Sequence, residues 1–309
     1  MLRSVVVVSI LATAACHSSS TAHSTTGPSN KAEPANAAGA DDVLGFLPID
    51  SEIVIGFDAN AMRSSALWKQ FEPQIVAGLG NKLPMMRDAC GFDPLTSVER
   101  VAIGGKLTSD EKFEGVFVMR GVSGAKTLDC IAKETAKDAK VTNEKGTLTV
   151  QDGNNEKMVA TIVGSTTLVV QMGAGATPAT LEAVVRSGAP LRGSKAFMAL
   201  FDRREANPSV WGMINGSSSL LTQMAQAGAK PKSVDGTLVL SDRFVGAARI
   251  KYATPGEADQ VKQQIAQIAA MANGKVDKID LAVNGDVLRI DVVATDAQVR
   301  AILGMFGFN

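Results

Sequence analysis

The sequence predicts an α+β protein made of two weakly similar tandem units, each an antiparallel sheet with helices packed on one face. Three observations indicate this class. Short apolar segments follow one another across brief polar turns, which is typical of antiparallel strands. Segments with apolar residues at helical spacing separate groups of these strands. The order of strands and helices then occurs a second time along the chain, so we expect two units of one design.

The first unit is predicted to cover residues 41–190 and to start with the strand Ile53–Asp58. A helix that Asn60 caps should follow, with a break or kink at Pro73, and a further apolar segment reaches Cys90. The remaining strands are predicted at 98–107, 113–120, 147–151, 158–163 and 167–172, and the remaining helices at 124–137 and 178–186.

The second unit is predicted to cover residues 191–309, with a boundary near residues 188–193, where turn-forming residues are frequent. Its strands are predicted at 209–215, 234–240, 244–252, 278–283 and 287–293. Its helices are predicted at 195–201 and 218–227 and after Pro255 and Asp296. An Asn284-Gly285 pair indicates a tight hairpin turn between the last two strands.

Two pairs of segments carry the repeat. IVIGFD of the first unit corresponds to SVWGMIN of the second, and TTLVVQMGAGATPATLEAVV corresponds to DVLRIDVVATDAQVRAIL. The identity between them is weak. Two such sheets could form separate bodies or join edge to edge in one continuous unit.

The first fifteen residues read as an export signal. Arg3 supplies a positive start, residues 4–12 (SVVVVSILA) are an apolar run, and small residues lead to Cys16. The run is too short for a permanent membrane span. At Cys16 the chain resembles a bacterial lipoprotein precursor, with Thr13 where that family usually has Leu. The resemblance covers the leader only and implies that Cys16 becomes an acylated N-terminus.

The resemblance also bears on location, because His17 stands where lipoproteins of the inner membrane often carry Asp, which implies an outer-membrane anchor. Residues 16–40 are rich in Ser, Thr, Ala and Pro and predict a flexible tether behind the lipidated cysteine. The alternative is an ordinary secretory signal cut after Ala14, which would leave Cys16 as a free thiol.

Composition restricts the partners. The 309-residue chain has 31 Lys plus Arg and 31 Asp plus Glu, so no global charge attracts it to nucleic acid. Hydrophobic residues make up 45% of the chain and aromatic residues 5%, which predicts a globular fold with an aliphatic core. The methionines among them could line a groove for a hydrophobic ligand, although they more often fill core gaps.

The cysteines predict a disulfide. If Cys16 is acylated, Cys90 and Cys130 remain as a pair in an oxidising compartment. Their bond would close a loop of about forty residues and stabilise the fold by about 3 to 4 kcal/mol. The alternative is a redox or metal site, which favours closer spacing of the cysteines.

Both histidines, His17 and His23, lie in the tether. This distribution excludes a His-dependent triad or a His-containing metal centre from the body of the chain. Ser123 and Lys126 match the S-x-x-K spacing of serine penicillin-binding enzymes, but Ser123 also stands where a helix N-cap belongs.

Other candidates are carboxylates and glycines. Asp58 and Asp291 could pair as acid and base. Gly104-Gly105-Lys106 and Gly274-Lys275 do not fit a phosphate loop, and we interpret these glycines as turn or bulge residues.

We therefore expect a lipid-anchored bacterial envelope protein with a non-enzymatic binding or structural role toward a protein, glycan or lipid partner. We expect no catalytic residues, cofactor or metal, and no nucleic-acid partner. The alternatives are an envelope hydrolase that acts on cell-wall or glycan substrate, through Ser123 and Lys126 or through carboxylates, and a carrier of hydrophobic ligands.

Overall fold

The computed structural model describes residues 42–80, 82–108, 112–122, 124–137, 139–153, 156–187, 190–216, 218–225, 229–271 and 275–305. Within these ranges it has ten α-helices and twelve strands, which confirms the α+β prediction. The signal segment, Cys16 and the tether lie outside the described residues, as do Ser123 and Gly274.

The strands in chain order are β1 (Ile53–Asp58), β2 (Arg100–Leu107), β3 (Phe113–Arg120), β4 (Lys140–Glu144), β5 (Thr147–Gln151), β6 (Lys157–Val163), β7 (Thr167–Met172), β8 (Val210–Asn215), β9 (Ser233–Leu240), β10 (Phe244–Lys251), β11 (Lys278–Asn284) and β12 (Val287–Ala294).

The helices are α1 (Ala59–Ser64), α2 (Ala66–Leu79), α3 (Lys82–Cys90), α4 (Pro94–Ser97), α5 (Gly124–Thr135), α6 (Pro178–Arg186), α7 (Lys195–Phe201), α8 (Ser219–Met224), α9 (Pro255–Met271) and α10 (Asp296–Met305). Two 3-10 turns, Val43–Phe46 and Pro190–Gly193, precede β1 and α7. Polar N-cap residues define where several helices begin. Before α1, the Asp58 side chain accepts a hydrogen bond from the Ala61 N–H, and before α6, Thr177 forms a capping box with Thr180.

All twelve strands join in one antiparallel sheet in the order β11-β12-β10-β9-β8-β1-β2-β3-β7-β6-β5-β4. The predicted units therefore meet edge to edge, where β1 pairs with β8. At this junction Gly56 lies opposite Trp211, and a Cβ on Gly56 would overlap the indole ring. Glycine is thus what allows the tryptophan to lie flat on the neighbouring strand.

We call the two faces of the sheet face A, which carries Val101 and Phe117, and face B, which carries Ala102 and Val118. In the first half, β1 to β7, helices α3 and α5 cover face A. The two 3-10 turns, α6 and α7 cover face B. The prediction of helices on one face is therefore too simple for this half.

The reason for helices on both faces is that the central strands are apolar on both. Residues 116–119 of β3 are buried without a break, and so are residues 167–170 of β7. A strand buried on both sides reads as a continuous apolar run, and each of its faces needs a covering layer.

In the second half, β8 to β12, the apolar cluster lies on face A under α9. It contains Ile250, Tyr252, Val261 and Leu288. Face B of β9, β10 and β12 carries Asp235, Arg249, Arg289 and Asp291 instead. From β9 to β12 this half agrees with the predicted arrangement of helices on one face, whereas β8 carries Trp211 on face B under α7.

Candidate functional site

A cleft of about 280 Å³ lies at one end of the first-half strands. Its walls come from the loop before β1, the facing ends of β2 and β3, the end of β7, and α6. Its polar side chains are those of Asp50, Lys106, Glu114 and Gln171. We call these walls and side chains the β2–β3 cleft.

A pair of glycines forms the floor of the β2–β3 cleft. Gly105 and Gly115 are direct partners in the β2–β3 ladder. A Cβ on Gly105 would overlap the Glu114 carbonyl oxygen, and a Cβ on Gly115 would overlap that of Gly104. Gly104 and Gly105 are therefore regular strand residues that allow close backbone approach, not the turn or bulge residues that the sequence suggested.

The charges at the β2–β3 cleft are mixed and accessible. Lys106 Nζ lies 3.4 Å from Asp50 Oδ2, and both side chains are about half exposed or more, at 45% and 65%. Lys106 is also the ladder partner of Glu114. Gln171 Oε1 accepts a hydrogen bond of 2.8 Å from the Thr180 hydroxyl. The cleft thus offers a cation, carboxylates and an amide beside apolar side chains such as Val116, Met172 and Val184, a set that suits a ligand with donors and acceptors and some apolar surface.

A second cleft of about 470 Å³ lies in the second half, beside the start of α9. Gly216, Lys230, Lys232 and Glu257 are among the residues that line it. The Glu257 carboxylate already accepts a hydrogen bond of 2.9 Å from the Ala253 N–H, so it caps α9. The two lysines, both exposed, are the accessible charged groups of this cleft.

Face B of the second half carries a row of arginine–carboxylate pairs. The buried Asp235 carboxylate accepts hydrogen bonds from Arg203 at 3.1 Å and from Arg249 at 2.7 Å. Arg249 also donates to the Arg203 carbonyl at 2.7 Å. These bonds fix the loop after α7 onto the sheet, because Arg203 belongs to that loop and Arg249 to β10.

The row continues at Arg289, which bonds Asp291 at 2.7 Å and Glu205 at 3.1 Å. The hydrogen bond to Asp291 raises the pKa of the Arg289 guanidinium, as does the one to Glu205. Arg204, in contrast, lies 3.6 Å above the Phe201 ring, and burial lowers its pKa. Arg289 and Arg204 both remain charged at any physiological pH.

The structure joins Cys90 and Cys130 in the predicted disulfide, with Cα atoms 5.1 Å apart. Both residues are buried on face A, and the bond links the end of α3 to α5. It is part of the first-half core, which also contains Met86 and Leu128.

The predicted hydrolytic groups are not brought together. Lys126 is exposed on α5, and its candidate partner Ser123 lies outside the described residues. Asp58 lies on β1 and Asp291 on β12, so four strand spacings, roughly 19 Å, separate them. Asp58 caps α1 and pairs with Arg100, and Asp291 pairs with Arg289. The suggestion that these carboxylates act as an acid–base pair is therefore wrong.

Sequence reasoning missed both the β2–β3 cleft and the charged row. A signal for the row was present, since Asp235, Arg249 and Arg289 lie inside predicted strands. A charge inside a strand with apolar neighbours indicates a face that is not covered by helices. The β2–β3 cleft had no such signal, because its residues come from segments far apart in the chain.

In the described part of the chain, no group of three or more histidine, cysteine or carboxylate side chains is placed to hold a metal ion. Within the same ranges, none of the helices has the length and apolar composition needed to cross a bilayer.

Comparison with known proteins gives a likeness of fold only. No protein-family model matches the chain, and no curated protein matches it either. Among solved structures, it is similar to crystal forms III, IV and I of TP0453, with TM-scores of 0.57, 0.54 and 0.52 and identities of 11%, 12% and 10%. Each match covers 85% of this chain and 96% to 97% of TP0453. The likeness supports the α+β architecture.

Proposed function

We propose that this chain is a lipid-anchored bacterial envelope protein whose folded body has a non-enzymatic binding role. The observation that carries the proposal is the leader, in which a positive start, an apolar run and small residues end at Cys16. Acyl chains on Cys16 would hold the protein at the membrane, because each buried CH₂ contributes about 0.8 kcal/mol. We place the anchor in the outer membrane on the ground of His17.

We further propose that the partner is polar, a glycan or the polar surface of a protein, and that it binds in the β2–β3 cleft. The support is the chemistry of the cleft: Lys106, Asp50 and Glu114 present charge, and Gln171 presents an amide. A carrier of hydrophobic ligands needs an apolar cavity, and these charged side chains would lose hydration against a lipid chain. The charged groups of the cleft are our ground for preferring the binding role to the carrier.

Metabolic labelling with an alkyne analogue of palmitate tests the anchor. The wild-type protein should carry the label in the envelope fraction, and a Cys16→Ser variant should not. A Cys90→Ala/Cys130→Ala variant is the matched control, because it removes two cysteines and keeps Cys16. Unlabelled wild-type protein of the size expected after cleavage at Ala14 would reject the lipid anchor in favour of the secretory alternative.

Cosedimentation with purified cell-wall sacculi tests the cleft. The full exported protein should bind, and Lys106→Glu should lower the bound fraction about tenfold, since it replaces the cation of the cleft by a carboxylate. Lys230→Glu makes the same charge change in the other cleft and should bind as the wild type does. Equal binding by both variants would reject the β2–β3 cleft. If the wild type does not bind sacculi, the glycan is rejected, and cross-linking in cells then seeks a protein partner at Lys106.

A Ser123→Ala variant tests the hydrolase alternative. Under our proposal, labelling of the protein by a β-lactam or fluorophosphonate probe should be absent in the wild type and unchanged in the variant. Labelling of the wild type that disappears in Ser123→Ala would establish a reactive serine and overturn the non-enzymatic role.

A further inference from the structure

In the described part of the chain, the sheet ends in an outer strand, β11, with no strand on its outer side. β11 has seven residues, pairs with β12, and is the terminal strand of the sheet that the described residues form. Its exposure alternates strictly: Lys278, Asp280, Ala282 and Asn284 are exposed and the residues between them are half-buried. An outer strand of this length with regular geometry is a template for pairing with another chain.

The hairpin turn decides which backbone groups of β11 point outward. The Gly285–Asp286 turn makes Asn284 and Val287 a hydrogen-bonded pair, so even-numbered residues of β11 bond to β12. The N–H and C=O groups of Ile279, Leu281 and Val283 therefore point away from the sheet.

The strand is regular over this length. The Asp277 N–H donates to the Val293 carbonyl at 3.0 Å, one position out of the ladder register, which marks a bulge just before the strand. Residues 278–284 follow it in continuous register with β12. The outward groups are therefore evenly spaced for a further strand.

We propose that a second copy of this chain pairs antiparallel with β11, about a two-fold axis at Leu281. In this register Ile279 lies opposite Val283 of the second copy, and Leu281 lies opposite itself. Every outward N–H and C=O group of the strand then gains a partner, and the opposed side chains on face A are apolar. The interface is isologous and closes as a dimer, so it cannot propagate into a fibre.

Leu281 is the central residue of β11, so this register gives the fullest overlap of the two strands, and charge is compatible with it. On face B it places Asp280 opposite Ala282 of the second copy and Lys278 opposite Asn284, so like charges are not opposed. An axis at Asp280 would instead place two aspartates directly opposite each other. An axis at Ile279 would require pairing through the bulge at Asp277.

Helix α9 supplies a second, independent observation. It packs on β11 and β12, so the two-fold axis would place it beside its own copy. From Gln263 to Met271 its sequence has no charged residue, and Gln263, Gln264, Ala266 and Gln267 are exposed. Helix α5, which packs on the other outer strand β4, exposes Lys126 and Asp129. Depletion of charge on an exposed helix is typical of an interface and fits an identical partner better than a charged one.

A charge-reversal pair tests the register. The full exported protein in detergent should sediment as a dimer, and Ala282→Asp should weaken the dimer about tenfold, because each added carboxylate lies opposite Asp280 of the other copy. Adding Asp280→Lys to Ala282→Asp should restore the wild-type dimer. Thr142→Asp adds the same charge to the outer strand β4 and should leave the dimer intact.

Cross-linking gives a geometric check. In the proposed dimer, the two copies of an Ala282→Cys variant are diagonal neighbours, about 7 Å apart, and a short bismaleimide should join them. Val245→Cys is exposed on face B of β10, about 24 Å from its copy, and should not cross-link. A monomeric wild type at micromolar concentration, or an Ala282→Asp protein that dimerises as well as the wild type, would overturn the proposal.

Discussion

The two halves of the sheet have the same topology but different coverings. In the first half β1, β2, β3, β7 and β6 lie side by side, and in the second half β8, β9, β10, β12 and β11 do. In each half a helix, α5 or α9, follows the third strand and packs on face A. The first half adds β4 and β5 at its edge. The repeat that the sequence suggested is thus present in three dimensions.

The difference lies on face B. There the 3-10 turns, α6 and α7 cover the first half and β8, whereas β9, β10 and β12 carry the arginine–carboxylate row. Helix α7 lies on β8 of its own half, where the Phe201 ring meets Trp211 edge-on at a centroid distance of 5.1 Å, and its apolar cluster continues to Val54 and Val118 of the first half. The apolar cluster on face B therefore spans the junction between the halves, and charge replaces it on β9, β10 and β12.

The largest expected effect concerns the disulfide, which only the first half contains. Replacing Cys90 and Cys130 by Ala should lower the free energy of unfolding by about 4 kcal/mol, since the bond closes a loop with a sequence separation of 40 residues. Guanidinium unfolding followed by circular dichroism measures this. Wild-type protein under a reducing agent should unfold at the same midpoint as the variant, and an unchanged midpoint in both would show that the cross-link does not stabilise the fold.

The next prediction compares two leucines at equivalent strands of the halves. Leu168 on β7 and Leu288 on β12 are both fully buried on face A. Leu168→Ala should cost about 4 kcal/mol, because the large first-half core cannot collapse into the cavity. Leu288→Ala should cost about 2 to 3 kcal/mol, because the smaller second-half core relaxes more easily. Equal losses in denaturant unfolding would show that the two cores are equally rigid.

A smaller effect is expected from the charged row. Asp235→Asn should cost about 2 kcal/mol, because Arg249, whose side chain is only 15% exposed, loses its carboxylate partner. Glu205→Gln is the control: Glu205 and Arg289 are both more than 40% exposed, so its loss should be under about 0.5 kcal/mol. If both variants unfold like the wild type, the row is not part of what stabilises the second half.

The sequence predicts much of the fold because its apolar patterns are local. Strands β1, β5 and β7 and helix α6 have the predicted bounds. Strand β4 was not predicted: KVTNE has a single aliphatic residue, Val141, and forms a strand because β5 offers a partner. The features that the sequence did not predict depend on contacts between residues far apart in the chain. Arg203 and Asp235 are 32 residues apart and Arg289 and Glu205 are 84 apart, so no local pattern brings them together.

The smallest expected effect uses Tyr252, the single tyrosine of the chain, as a probe of the second-half core. Burial raises the pKa of the Tyr252 phenol, and the charge of Glu257 raises it further. The unfolded phenol ionises near pH 10. The stabilisation from the neutral phenol is therefore fully present below about pH 10 and is lost as the pH rises through the higher folded value.

An absorbance titration at the phenolate band measures this directly. The folded protein should ionise at higher pH than the same protein in guanidinium, and a Tyr252→Phe variant should show no phenolate band and a flatter decline of stability in alkali. Coincident titrations of folded and unfolded protein would mean that the second-half core is open to water. In that event the second-half core would be packed more loosely than the first-half core. The loss of unfolding free energy caused by Leu288→Ala should then be smaller as well.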